Sequence, residues 1–505
     1  GATTPGAMGA RLLAICCLFL GANAHDSWNL SNFSARRSAN PFRGSPIVTP
    51  GEEIDCSETC SRKHHCQDWP LRMCGKDPHC DKAVCLHKQL FPMLPLDVTF
   101  FFVIFMVSFL AGAPGIGGGG INVPLLMMLN RFTIKEAVPI SHIAVMGNAL
   151  SQLLFNTRLR HPSMSLRPLI HYEIAAVLLP AMLGGNSLGI VVSKVFPPTA
   201  LVLLSLILLL FAAAKTMHKG LVAFRSSGAA KGSAISMNNL QRPVLDLRDN
   251  LSIASDSVLH GAGPRRHHNS SSTSGQQSMQ SFEELPVRIP WKTIWFMVAF
   301  NVIFCLDYLA MSQDVDGVEK CSVIYWIALL GLYPVVALSL LLAIRFMREL
   351  AEWHASRHDP PVQGDPVLGR AGLLVVPFLA MAVGLLAGLL GLGGGEFMVP
   401  LLLELGVQAR VAAATSGFLI FFNTSSNVVH YLVAGTIEPF MGYGIACFFM
   451  AMMGSFCGLL AGNTQYVRNH SYIIIFLVAF ALLASAALLL FRGFSEINWT
   501  FGGFC

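Results

Sequence analysis

At 505 residues, with 53% hydrophobic and only 12% charged side chains and a mean hydropathy of +0.57, the chain is too apolar to be a string of soluble domains. The net charge of +6 is modest and spread over loops, so nothing in it calls for a nucleic-acid partner. The bilayer is the solvent that fits this composition, and the expected fold class is an all-α polytopic membrane protein.

In chain order, Arg11, the apolar run Leu12 to Leu20 and Ala22-Asn23-Ala24 read as the three parts of a secretory signal peptide over 8–24. The alternative is a short extra span, against which stand the run's length and its small and polar end. An extracytoplasmic segment over 25–93 follows, holding Cys56, Cys60, Cys66, Cys74, Cys80 and Cys85. Cysteine density after a signal peptide predicts a small disulfide-rich segment with three bridges of unassigned connectivity. His64, His65, His79 and His87 would permit zinc, but no C-x-x-C spacing accompanies them, so no metal or other cofactor is expected.

Apolar runs near the length of a span then recur at roughly 96–113, 137–156, 169–192, 197–214, 291–311, 322–346, 371–391, 411–434, 439–461 and 471–491. Two shorter runs lie near 121–129 and 396–405. The expected organisation is a first repeat over 94–214, a disordered cytosolic linker over 215–290, a two-helix insert over 291–347 and a cytosolic loop over 348–369. A second repeat over 370–491 and a tail over 492–505 complete it. From Lys215 to Lys292 the chain carries ten Lys or Arg against five Asp or Glu, which predicts a cytosolic position. Asp314, Asp316 and Glu319 place the hairpin at 312–321 on the opposite side. Counting spans puts the Cys-rich segment and the sequon Asn498-Trp499-Thr500 outside, as do Asn29-Leu30-Ser31 and Asn32-Phe33-Ser34.

The two repeats announce themselves directly. LAGAPGIGGGGINVPLL over 110–126 and LAGLLGLGGGEFMVPLL over 386–402 share eleven of seventeen positions at an offset of 276. One residue out of step, Lys135 matches Arg410, Ala137 matches Ala412, Ser141 matches Ser416, Asn148 matches Asn423 and Ser151 matches Ser426. Farther on, Gly185 and Gly189 match Gly454 and Gly458. Because one copy enters from outside and the other from the cytosol, the expected plan is an inverted-topology repeat of about five plus five spans.

A glycine cluster interrupts a helix in the bilayer only against protein or a water-filled cavity. Val-Pro after each cluster predicts a new short helix with proline in its first turn, whose free N–H groups favour an anion. Gly117, Gly118 and Gly119, with Gly393, Gly394 and Gly395, are therefore the first candidates for holding a small oxyanion. Close packing through small residues is the competing account. Ser141 and Asn148 in one half, and Thr415, Ser416 and Asn423 in the other, supply neutral polar groups on the next helix. Glu396, directly after the second cluster, is the candidate for coupling transport to protons, against a purely capping role.

At these paired G-x-G-G-G-x-x-x-V-P motifs, and the Ala-Ala-Thr-Ser segment that follows the second, the chain resembles the TauE/SafE sulfite exporter family in its eukaryotic form. The resemblance covers roughly 94–214 and 370–491. It implies a secondary carrier exporting sulfite, organosulfonates or related small anions; the signal peptide adds a plasma-membrane or endomembrane location reached by the secretory route. The copies diverge in having Gly120 for Glu396 and Pro139-Ile140-Ser141 for Ala414-Thr415-Ser416. No enzyme is expected: Thr415-Ser416-Gly417 with His430 lacks the setting of a serine protease. A receptor or scaffold using the Cys-rich segment is the reading from another class.

Overall fold

The computed structural model describes residues 71–76, 83–162, 164–193, 195–229, 290–310, 323–356, 372–391, 393–434, 436–437, 440–470 and 472–493. The chain divides into two compact units, 1–88 and 89–505. The first contains an antiparallel hairpin of β1 (Arg72–Lys76) and β2 (Ala83–His87), whose register sets Cys74 opposite Cys85. Cys56, Cys60, Cys66 and Cys80 lie outside the described residues, as do the expected signal peptide and most of the linker.

The second unit is helical. Its elements are α1 (Pro95–Gly112), α2 (Gly119–Leu129), α3 (Ile134–Asn156), α4 (Tyr172–Ser193), α5 (Pro198–Ala229), α6 (Trp291–Ala310), α7 (Val323–Ser356), α8 (Gly372–Leu390), α9 (Gly395–Glu404), α10 (Ala409–Val433), α11 (Met441–Gly462), α12 (Gln465–Asn469) and α13 (Tyr472–Gly493). A short hairpin, β3 (Arg160–His161) and β4 (Met164–Pro168), joins α3 to α4. Every expected apolar run becomes a helix, and α5 continues to Ala229, into the segment expected to open the linker. Among the described residues, seven helices are long and apolar enough to cross a membrane: α1, α3, α4, α5, α7, α11 and α13, over all or most of their length. The chain is an integral, multi-pass membrane protein.

Sequence explains the ends of these helices. Pro95 opens α1, and Leu94 N donates to Asp97 Oδ2 at 2.8 Å, which satisfies one N–H at the helix start. Thr133 N likewise donates to Glu136 Oε2 at 2.8 Å ahead of α3. Pro124 and Pro400 do not occupy the first turn expected of them. α2 and α9 begin five residues earlier, at Gly119 and Gly395, because Gly118 (φ 75°) and Gly394 (φ 84°) turn the chain into the helix from the left-handed region. Each proline then removes the N–H that would have bonded four residues back, to Gly120 or Glu396.

The interior is built around α3, α4 and α10. In α4, 94% of the apolar stretch is buried, against 22% in α5, whose Ile207, Leu210 and Phe211 face outward as lipid-facing side chains do. α10 is less apolar than those seven because Thr415, Ser416, Asn423, Thr424, Ser426 and Asn427 lie along it; all are buried. A side cluster of Phe100, Ile104, Leu126, Phe132 and Tyr443 packs α1, α2 and α11 together, with Phe132 edge-on to Tyr443 at 5.2 Å.

The halves interlock reciprocally. A Cβ at Gly185 or Gly189 would strike the carbonyls of Met381 or Leu385 in α8. At Gly454 or Gly458 it would strike those of Phe105 or Phe109 in α11's partner, α1. These are equivalent contacts: 381 − 105 = 276 and 385 − 109 = 276, while 454 − 185 = 269 and 458 − 189 = 269. The first helix of each half thus packs, backbone close to backbone, on the fourth helix of the other. Equivalent helices meet in opposite senses. Along α3 and α10, His142 stacks by Tyr431 at 5.4 Å while Gln152 lies against Gly417. Along α5 and α13, Phe224 meets Tyr472 at 5.2 Å while Gly220 faces Phe476.

Candidate functional site

The two glycine breaks come together in the middle of this arrangement. Gly117 and Gly118 (φ 81° and 75°), with Gly393 and Gly394 (φ 74° and 84°), form matched turns ahead of α2 and α9. Val145 and Ile420, equivalent residues of α3 and α10, pack on them: a Cβ at Gly117 would lie 3.0 Å from Val145 Cγ1 and 3.4 Å from Ile420 Cγ2. At Gly393 it would lie 3.3 Å from Val145 Cγ1. Gly395 abuts the carbonyl of Ile116 so closely that a Cβ there has no room. Gly117, Gly393 and Gly395 therefore share neighbours at one buried place.

The polar candidates divide by what they bond. Asn148 Nδ2 donates to Gly117 O at 3.0 Å, and Asn423 Nδ2 donates to Gly393 O at 3.2 Å. These matched bonds hold carbonyls that a helix break would otherwise leave unpaired. Ser141 Oγ reaches Gly119 O at 3.4 Å. Ser416 is fully buried and its hydroxyl has no partner among the described residues, nor has Asn423 Oδ1. Thr415 is placed elsewhere: its Oγ1 accepts from His171 N at 3.1 Å, at the start of α4. Among the described residues no group of three His, Cys, Asp or Glu is placed to hold a metal.

Glu396 occupies the junction. It is 1% exposed, and its Oε1 accepts from Gly120 N at 2.6 Å and, more distantly, from Ser485 Oγ of α13 at 3.4 Å. Oε2 has no partner among the described residues. The carboxylate thus caps the short helix of the opposite half rather than its own. In the chain this contact joins residues 276 apart, one of the six equivalent pairs at which the motifs differ.

Other polar residues on the same helices enter without having been candidates. Gln152 Nε2 donates to Asn148 Oδ1 at 2.8 Å, and its Oε1 presses on Gly417 without a hydrogen-bond partner. Its equivalent, Asn427, accepts from Asn186 Nδ2 at 2.6 Å. The offset of 275 pairs Gln152 with Asn427 and was the signal available for both. From the insert, Asn301 of α6 donates to Phe422 O at 3.0 Å and to Ser426 Oγ at 3.2 Å. It has no counterpart in the first half, so no repeat could reveal it.

The profile of the family described as "Sulfite exporter TauE/SafE" matches residues 100–245 and 287–489. The chain belongs to the TauE/SafE family. Similar proteins include "Sulfite exporter TauE/SafE family protein 3" of Arabidopsis thaliana, 29% identical over 63% of this chain and 62% of that protein. "Sulfite exporter TauE/SafE family protein 1" of the same plant is 25% identical over 77% of this chain and 82% of its own length. A shorter stretch, 12% of this chain and 22% of the relative, is 39% identical to "Probable membrane transporter protein YunE" of Bacillus subtilis (strain 168). The chain spans less than two thirds of the first of these relatives. No solved structure matches. The family and these relatives are described as sulfite exporters or membrane transporters, and both glycine motifs fall within the matched residues.

Proposed function

We propose that this TauE/SafE member is a secondary carrier that exports a small oxyanion, sulfite or an organosulfonate, by alternating access between two inverted halves. The observation that carries the reading is the meeting of two broken helices at one buried place, with the amino terminus of α2 already holding a carboxylate. Free N–H groups at a helix start are complementary to an oxyanion, and neutral hydroxyls such as those of Ser141 and Ser416 bind it without a fixed countercharge. Inversion is supported by the opposite senses in which α3 meets α10 and α5 meets α13. Inverted repeats exchange conformations by rocking one half against the other around a midplane site. In the same reading the substrate contacts come from Gly117, Gly118, Gly119, Ser141 and Asn148 and from Gly393, Gly394, Gly395, Ser416 and Asn423, while Thr415, engaged with His171 N, stands apart from them.

Purified protein reconstituted into liposomes should move labelled sulfite down an imposed gradient. Absence of flux in sealed, protein-containing vesicles would return the reading to a receptor or scaffold. Glu396 is assigned to coupling. Glu396→Gln should fold and bind anion, yet lose the pH dependence of flux; an unchanged pH profile makes Glu396 structural and the passage passive. The Cys-rich segment is assigned to the extracytoplasmic side with three disulfides. Peptide mapping without reduction should find them, whereas six alkylatable thiols would remove that assignment.

A further inference from the structure

We propose that Glu396 is a tethered anion: its carboxylate occupies the oxyanion place at the amino terminus of α2, and a free carboxylate-sized anion takes that place when the side chain is absent. The proposal rests on the anion-carrier reading for its meaning in transport but stands on separate observations.

The first is the bond itself. Gly120 N to Glu396 Oε1 is 2.6 Å, shorter than the 2.9–3.0 Å usual for neutral N–H···O bonds, the direction in which a charged acceptor shifts them. The second is shape. A Cβ on Gly120 would run into both carboxylate oxygens, so the place exists only because residue 120 has no side chain. Equivalent positions have diverged in a complementary way, one gaining a carboxylate and the other leaving room for it. The third is the state of the donors. Ile121 N and Asn122 N both bond to Gly118 O within the turn at 3.2 and 3.0 Å, so neither of them is free for Glu396. The fourth is incompleteness. Glu396 Oε2 is buried without a partner, and a buried carboxylate in that condition is poorly compensated.

An external oxyanion and the Glu396 carboxylate are therefore mutually exclusive at α2. The ligand class is a compact anion presenting two or more oxygens from one centre, which includes carboxylate, sulfite and sulfonate groups. Substrate entry in this scheme requires the side chain to leave, so the carboxylate acts as a place-holder that keeps the helix end satisfied between cycles.

Acetate is the probe, since it reproduces the Glu396 head group without its tether. Full-length wild type, Glu396→Gln and Glu396→Gly are purified in detergent, and thermal unfolding is followed against sodium acetate with sodium chloride at equal ionic strength as reference. A saturable acetate-specific rise in Tm is expected in Glu396→Gly, a smaller one in Glu396→Gln, and none in wild type. Equal responses in all three proteins, or none in either variant, overturn the proposal. Should Glu396→Gly fail to fold, the near-isosteric Gln variant against wild type decides by the same criterion. Liposome flux of sulfite is scored separately: no flux with an intact acetate ranking removes the carrier reading and leaves the tethered anion in place, whereas flux with no ranking does the reverse.

Discussion

Asn148 and Asn423 show what a single side chain contributes here and how far a sequence discloses it. Their equivalence is legible from the offset alone, and so is their helical phase with Ser141 and Ser416. Their use is not: in the structure both amides turn onto glycine carbonyls, because a break in a buried helix must find donors before it can offer anything to a ligand. Replacing Asn148 by Ala should cost about 1–3 kcal/mol, the usual penalty for stranding a buried polar group. Asn423→Ala should fall toward the lower end of that range, since Asn148 also accepts from Gln152 Nε2 whereas Asn423 Oδ1 has no partner among the described residues. Thermal unfolding in detergent checks both; a variant that keeps wild-type stability yet loses sulfite binding would mean that the amide serves the anion instead. Glu396 was legible as an unusual charge, but its partner was not, since no local pattern points to a residue 276 positions away.

The elements were more legible than the residues, and their irregularities less so. Hydropathy located every helix of the two repeats except the five-residue α12, because lipid exposure demands long apolar runs. The apolar runs came within two residues of the starts of α2 and α9; the Val-Pro reading placed those starts too late, because glycines in the left-handed region outrank proline as the signal for a helix beginning. α10 illustrates the other limit: buried on nearly every side, it carries a polar stripe that lipid would not tolerate. The insert helix α6 draws on that stripe through Asn301. Asn301→Leu should therefore lower stability by about 0.5–1.5 kcal/mol for each hydrogen bond lost and leave sulfite flux per folded molecule unchanged. A loss of flux at full stability would place α6 on the transport path.

At the scale of the molecule, duplication could be read from the sequence but the manner of joining could not. Seventeen aligned positions reveal two copies; they do not say that the first helix of each lies on the fourth helix of the other. That pairing fixes a symmetric prediction. Gly185→Leu and Gly454→Leu should damage the protein alike, by at least the roughly 1–3 kcal/mol typical of overpacking, because each drives a side chain into an equivalent carbonyl. Recovery of monodisperse protein measures it, and one tolerated substitution beside one ruinous one would show that the halves are not joined as equals. Labelling cysteines placed in 312–321 and in 215–290 from opposite faces of the membrane checks the orientation independently.

The exchange of helices between halves also sets a timetable for biogenesis. α1 leaves the ribosome among the earliest parts of the transporter, yet the surface it packs on, Gly454 and Gly458 of α11, is translated only after the linker, the insert and most of the second half. Until then α1 stands in the membrane with its partner missing, held only by its neighbours in sequence. A nascent chain stopped after α10 should therefore leave α1 open to protease and to membrane quality control, and release of α11 should close it.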